Sequence, residues 1–64
     1  MDDEILNLSI RKFLKMVGVN SQREIEQAVA KAVAAGTETL RATMTLEIPE
    51  LGLKINFDGD IKLR

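Results

Sequence analysis

The segment Asn56-Phe57-Asp58-Gly59-Asp60 sets oxygen-bearing side chains at every second position beside a glycine, an arrangement suited to calcium. The match is incomplete. A full EF-hand loop places its glycine at position 6 and a bidentate glutamate at position 12. Counted from Asn56, the glycine here comes fourth, and only four residues follow Asp60. A second group, Arg11, Lys12 and Lys15, offers three cations within one and a half helical turns, enough to dock an acidic partner or a phosphate. The same three residues equally form a solvated face at a helix C-terminus, where they complement the helix dipole. The hydroxyls of Ser9 and Ser21 are the chain's only serine nucleophiles, and neither has a base nearby in sequence. Asp58 and Asp60 would need an enclosing pocket for acid–base work, which a two-layer protein of this size can hardly form. The chain is therefore expected to be no enzyme, and to bind no metal, cofactor or small-molecule ligand.

Composition narrows the classes further. There is no cysteine and no histidine, so disulfides, thiolate metal sites and the commonest general base are all absent. The formal charge is −1, which is not the balance of a protein that binds nucleic acid or anionic membranes. No apolar run is long enough to span a bilayer. The opening Met1-Asp2-Asp3-Glu4 is acidic where a secretory signal would be basic. These features point to the cytoplasm.

The elements that must position these residues follow from hydrophobic period. Between residues 3 and 17, Leu6, Ile10, Phe13, Leu14 and Val17 recur at helical spacing. Asp2, Asp3 and Glu4 precede them, and Gly18 is a natural helix stop. Ser21 and Glu24 have the spacing of a capping box, which predicts a second helix over about 22–35 carrying Ile25, Ala28, Val29, Ala32 and Val33. Gly36 closes it. The unit around Gly18-Val19-Asn20-Ser21 has the outline of a helix-turn-helix, but Glu24 stands where an apolar residue belongs. The second helix is also electrically neutral, whereas phosphate binding wants excess Lys and Arg.

The last 25 residues carry a different period. Leu40, Ala42, Met44, Leu46 and Ile48 alternate with polar residues, and so do Leu53, Ile55, Phe57, Gly59, Ile61 and Leu63. Strict alternation predicts two strands, about 40–48 and 53–63, each with one buried face. A tight turn over Pro49-Glu50-Leu51-Gly52 sets Ile48 opposite Leu53, Leu46 opposite Ile55, Met44 opposite Phe57, Ala42 opposite Gly59 and Leu40 opposite Ile61. The polar face pairs as well: Glu47 with Lys54, Thr45 with Asn56, Thr43 with Asp58 and Arg41 with Asp60. A slip of one residue ruins both faces. Gly59, opposite Ala42, is where a bend or bulge is expected. Because two strands alone are barely stable in water, the expected fold is α+β, an ααββ arrangement in one domain over 1–64. Two N-terminal helices would pack on one face of a C-terminal antiparallel hairpin.

Apolar residues remain outside this core. Ile5 and Met16 flank the main stripe of the first helix, and Leu8 falls among its charges. The open strand edge presents Lys54, Asn56 and Asp58. Unburied apolar side chains and open edges on so small a chain indicate an interaction surface, here Ile5, Leu8, Met16, Lys54, Asn56 and Asp58.

Several stretches also carry a likeness. Ser9-Ile10-Arg11-Lys12-Phe13-Leu14-Lys15, Val17-Gly18-Val19, Ser21-Gln22-Arg23-Glu24-Ile25-Glu26 and Ala28-Val29 resemble the N-terminal half of a family of short bacterial proteins of unknown function, and Asp58-Gly59-Asp60-Ile61 is similar to that family's C-terminal end. The resemblance spans nearly the whole chain and implies a genuine small protein rather than a fragment. It brings no activity, cofactor or site residue. The expected role is a small oligomerising or protein-interaction module, a homodimer or the partner of another protein. A weak nucleic-acid-binding regulator using the helical hairpin is the alternative.

Overall fold

The computed structural model describes residues 1–32 and 36–64. The chain divides into two units, Met1–Val33 and Ala34–Arg64. The first holds one helix, α1 (Asp3–Ala32), and the second an antiparallel hairpin of β1 (Thr39–Ile48) and β2 (Leu53–Lys62).

α1 starts where an acceptor awaits its free N–H groups. The Asp2 Oδ1 accepts from the backbone N–H of Glu4 at 3.0 Å and of Ile5 at 3.2 Å. The Leu6 N–H donates to the Asp2 carbonyl at 3.0 Å. Asp2 is thus the N-cap, and its charge also suits the positive end of the helix dipole.

The expected second helix is not separate. Gly18, Val19, Asn20 and Ser21 are all helical, and α1 runs unbroken for 30 residues, a length of about 45 Å. The ααββ expectation is therefore corrected to a single helix followed by a hairpin, still α+β. The balance of costs explains why. Carrying a helix through Gly-Val-Asn-Ser costs roughly 3 kcal/mol in propensity relative to alanine. Starting a new helix costs about 4 kcal/mol, from a nucleation constant near 10⁻³. No proline interrupts this stretch, since the only one in the chain is Pro49. The capping box cannot form either, because inside a helix the N–H groups that Ser21 would cap belong to the intrahelical ladder. The expected end of the second helix at 35, with Val33, lies outside the described residues.

In the hairpin every expected partner is found. The register pairs Ile48 with Leu53, Leu46 with Ile55, Met44 with Phe57, Ala42 with Gly59, Leu40 with Ile61 and Thr39 with Lys62. Pairing runs one-for-one through Gly59, so no bulge forms there. The turn is a short 3₁₀ segment, Pro49–Leu51, that ends on Gly52 at φ 63° and ψ 23°, with the Gly52 N–H donating to the Pro49 carbonyl at 3.0 Å. Pro49 pre-sets the first dihedral, and glycine takes the left-handed one without a Cβ penalty. Beyond β2, the Leu63 N–H donates to the Glu38 carbonyl at 2.7 Å and extends the ladder by one more pair.

No described residue is buried. On α1 the partly covered positions are Val17, Ser21 and Val29, which fall within an arc of about 120°. On the hairpin they include Leu40, Ala42, Leu46, Ile48, Leu53, Ile61 and Leu63, all on the apolar face.

Candidate interaction surface

The six residues expected at an interaction surface fall on two elements. Ile5, Leu8 and Met16 project from α1 within an arc of about 80°, separate from the phase of Leu6, Ile10, Phe13 and Val17. Ile5 is 64% exposed and Leu8 63%. Val19, which spacing places in the same arc, was not among the expected residues. The signal for it is its position three residues after Met16 and eleven after Leu8, on the same helical side. A shallow depression on this side is lined by Lys12, Lys15, Met16, Val19 and Asn20. Two of the three cations singled out in the sequence thus flank apolar side chains, with their aliphatic stems beside Met16 and Val19.

Lys54, Asn56 and Asp58 stand in a row on the polar face of β2. The register explains their neighbours. The Thr45 Oγ1 donates to the Asn56 Oδ1 at 2.9 Å. The Arg41 Nη1 donates to the Asp60 Oδ1 at 3.1 Å, and the Arg41 Nη2 lies 3.3 Å from the Asp58 Oδ2. The guanidinium therefore bridges both acids of the calcium-like segment. Asp60 is its direct partner across the strands, and Asp58 is the diagonal one, within reach because arginine is long. The carboxylates are spaced by the pleat, both on one face, and the cation between them already supplies positive charge. Among the described residues no group of three or more His, Cys, Asp or Glu is placed to hold a metal ion.

The opposite face of the hairpin is apolar. Phe57 is 54% exposed and its partner Met44 45%. A Cβ added at Gly59 would meet nothing within 4 Å, so the space above this glycine is open. The helix-turn-helix outline is absent, because its turn residues lie within α1. No helix among the described residues is long and apolar enough to cross a membrane.

A helix rich in exposed apolar residues, followed by a hairpin with one apolar face, defines a small α+β chain. The chain belongs to the family of unknown function DUF6494, whose model matches residues 1–64, its full length. Neither a curated protein nor a solved structure gives a significant match.

Proposed function

We propose that this chain is a small, non-enzymatic oligomerising or protein-interaction module of the cytoplasm. The observation that carries the reading is that no described residue is buried, while Ile5, Leu8, Met16, Met44 and Phe57 are 45% to 64% exposed. Each such side chain gains about 1.5–3 kcal/mol on full burial. Sixty-four residues with no disulfide are marginal without additional burial, and a partner surface provides it.

Photo-cross-linking in cells tests the reading. A photoreactive amino acid is placed at Leu8 in one variant and at Phe57 in another. Adducts heavier than the monomer at either position are the expected result. Monomer alone at both positions overturns the proposal.

A further inference from the structure

We propose that the partner of the β2 edge is a second copy of this chain, paired antiparallel to it about a two-fold axis at Phe57. The inference rests on the interaction-module reading above and names its occupant.

The argument begins with the free edge. The sheet has two strands, in the order β1-β2. The Leu63 N–H points at β1, where it meets the Glu38 carbonyl. In an antiparallel ladder this direction alternates, so the odd residues of β2 face β1 and the even ones face outward. The N–H and C=O groups of Lys54, Asn56, Asp58, Asp60 and Lys62 therefore form the open edge.

The side chains above that edge are self-complementary. When Phe57 opposes the partner's Phe57, Asn56 opposes the partner's Asp58 and Lys54 opposes the partner's Asp60. Leu53 to Ile61 are then paired, nearly all of β2. The four outward-facing residues within that span meet their outward-facing counterparts, as an antiparallel ladder requires. Shifting two residues one way sets Lys54 against Lys62 and Asp58 against Asp58. Shifting two the other way leaves Asp60 and Ile61 beyond the end of the partner strand. A shift of one residue swaps the polar and apolar faces.

The hydrogen bonds already made within the hairpin leave the right groups over. Asn56 uses its amide oxygen on Thr45, so its two N–H donors remain for the partner's Asp58. Arg41 takes the Asp58 Oδ2 and the Asp60 Oδ1, which leaves one oxygen of each carboxylate to accept. Lys54 is in no ion pair within 4 Å among the described residues. On the β1 edge the cation is Arg41, and its two terminal nitrogens are engaged by its own hairpin. The β2 edge is thus the one with spare donors set against spare acceptors. Its apolar face would run on from one hairpin to the next, with two Phe57 rings side by side at the axis.

The chain has no native cysteine, so single cysteines report the geometry directly. Residues opposed at the axis have Cα atoms about 4.5 Å apart, within disulfide range. Under mild oxidation the full-length Phe57→Cys variant should dimerise covalently at least about tenfold faster than Met44→Cys, because its thiols are held together rather than meeting by diffusion. An equimolar mixture of Lys54→Cys and Asp60→Cys retains Phe57 and should give the mixed disulfide in preference to either homodimer. Faster cross-linking of Met44→Cys would assign association to β1 and overturn the proposal. Absence of both the Phe57→Cys homodimer and the 54–60 mixed disulfide, with a dimer in sedimentation equilibrium of the unmodified protein, would overturn the strand interface alone. The interaction-module reading would then stand on another surface such as Leu8. A monomer from micromolar to millimolar concentration would overturn self-association, leaving the broader reading to the cross-linking adducts at Leu8 and Phe57.

Discussion

Arg41 and Asp60 face each other across the hairpin with 3.1 Å between the Nη1 and the Oδ1, and the same guanidinium reaches Asp58 at 3.3 Å. All three side chains are more than half exposed, so water and salt screen both contacts. Such pairs contribute about 0.2–1 kcal/mol each. Arg41→Ala should therefore lower stability modestly, and added salt should shrink the difference. Urea unfolding of Arg41→Ala, Asp60→Asn and the double variant, at low and high sodium chloride, measures the coupling. A coupling that survives high salt would contradict the screening argument.

The helix start makes a second prediction. Asp2 satisfies the N–H groups of Glu4 and Ile5, and removal of an N-cap costs about 0.5–2 kcal/mol. Asp2→Ala should reduce helicity, read by circular dichroism at 222 nm. Ser21→Ala should not reduce it, because Ser21 lies inside α1, where alanine is the better helix former. The opposite ranking of the two variants would mean that a helix begins at Ser21.

Gly18 tests the continuity of α1 directly. A Cβ there meets nothing within 4 Å, and alanine exceeds glycine in helix propensity by about 1 kcal/mol. Gly18→Ala should raise helicity and thermal stability. Gly52→Ala should lower the stability of the hairpin, since φ there is 63° and a left-handed alanine costs roughly 1–2 kcal/mol. A loss of helicity in Gly18→Ala would show that the glycine ends a helix.

These variants also mark where the fold is legible in the sequence. The hairpin is readable because both faces of each strand carry information. The apolar alternation and the polar pairs Arg41–Asp60 and Thr45–Asn56 demand the same register, and Pro49 to Gly52 closes it with suitable turn residues. The continuity of α1 is harder to read. Gly18 and the Ser21–Glu24 spacing are local stop and start signals, worth about 1 kcal/mol each, and they lose to the cost of a second nucleation. The stronger indication is phase: Val17, Ser21, Ile25, Ala28 and Val29 continue at three- and four-residue steps straight through the supposed turn. At the candidate surface, Ile5, Leu8 and Met16 are recognisable as apolar residues off the main stripe. The role of Arg41 as a bridge between both acids is less so, because it depends on a diagonal reach that opposed pairs do not reveal.

Charge makes a negative prediction. The net charge is −1, and the cations Arg11, Lys12 and Lys15 lie along one continuous helix that carries acids at its start and in its second half. Few phosphates can be neutralised, so few counterions are released. Binding to random duplex DNA at physiological salt should be undetectable at micromolar protein by fluorescence anisotropy. A salt-sensitive micromolar interaction would contradict this.

Proline separates the two sides of β2. The Lys54 N–H points away from β1, whereas the Ile55 N–H points toward it, as the Leu63–Glu38 bond and the alternation of an antiparallel ladder dictate. A proline at an outward position removes no bond within the hairpin and is the kind an edge strand tolerates. Lys54→Pro should therefore leave the β1–β2 pairing intact, with hairpin cross-strand NOEs preserved. It should also remove an edge donor and a cation from each copy of a two-fold dimer. Two lost hydrogen bonds at about 0.5–1.5 kcal/mol each weaken association roughly tenfold or more, before the lost Lys54 contacts are counted. Ile55→Pro removes an inward N–H and should disrupt the hairpin itself. Sedimentation equilibrium of both variants beside the parent chain reads the difference. Unchanged association in Lys54→Pro with an intact hairpin would exclude the β2 edge as the contact.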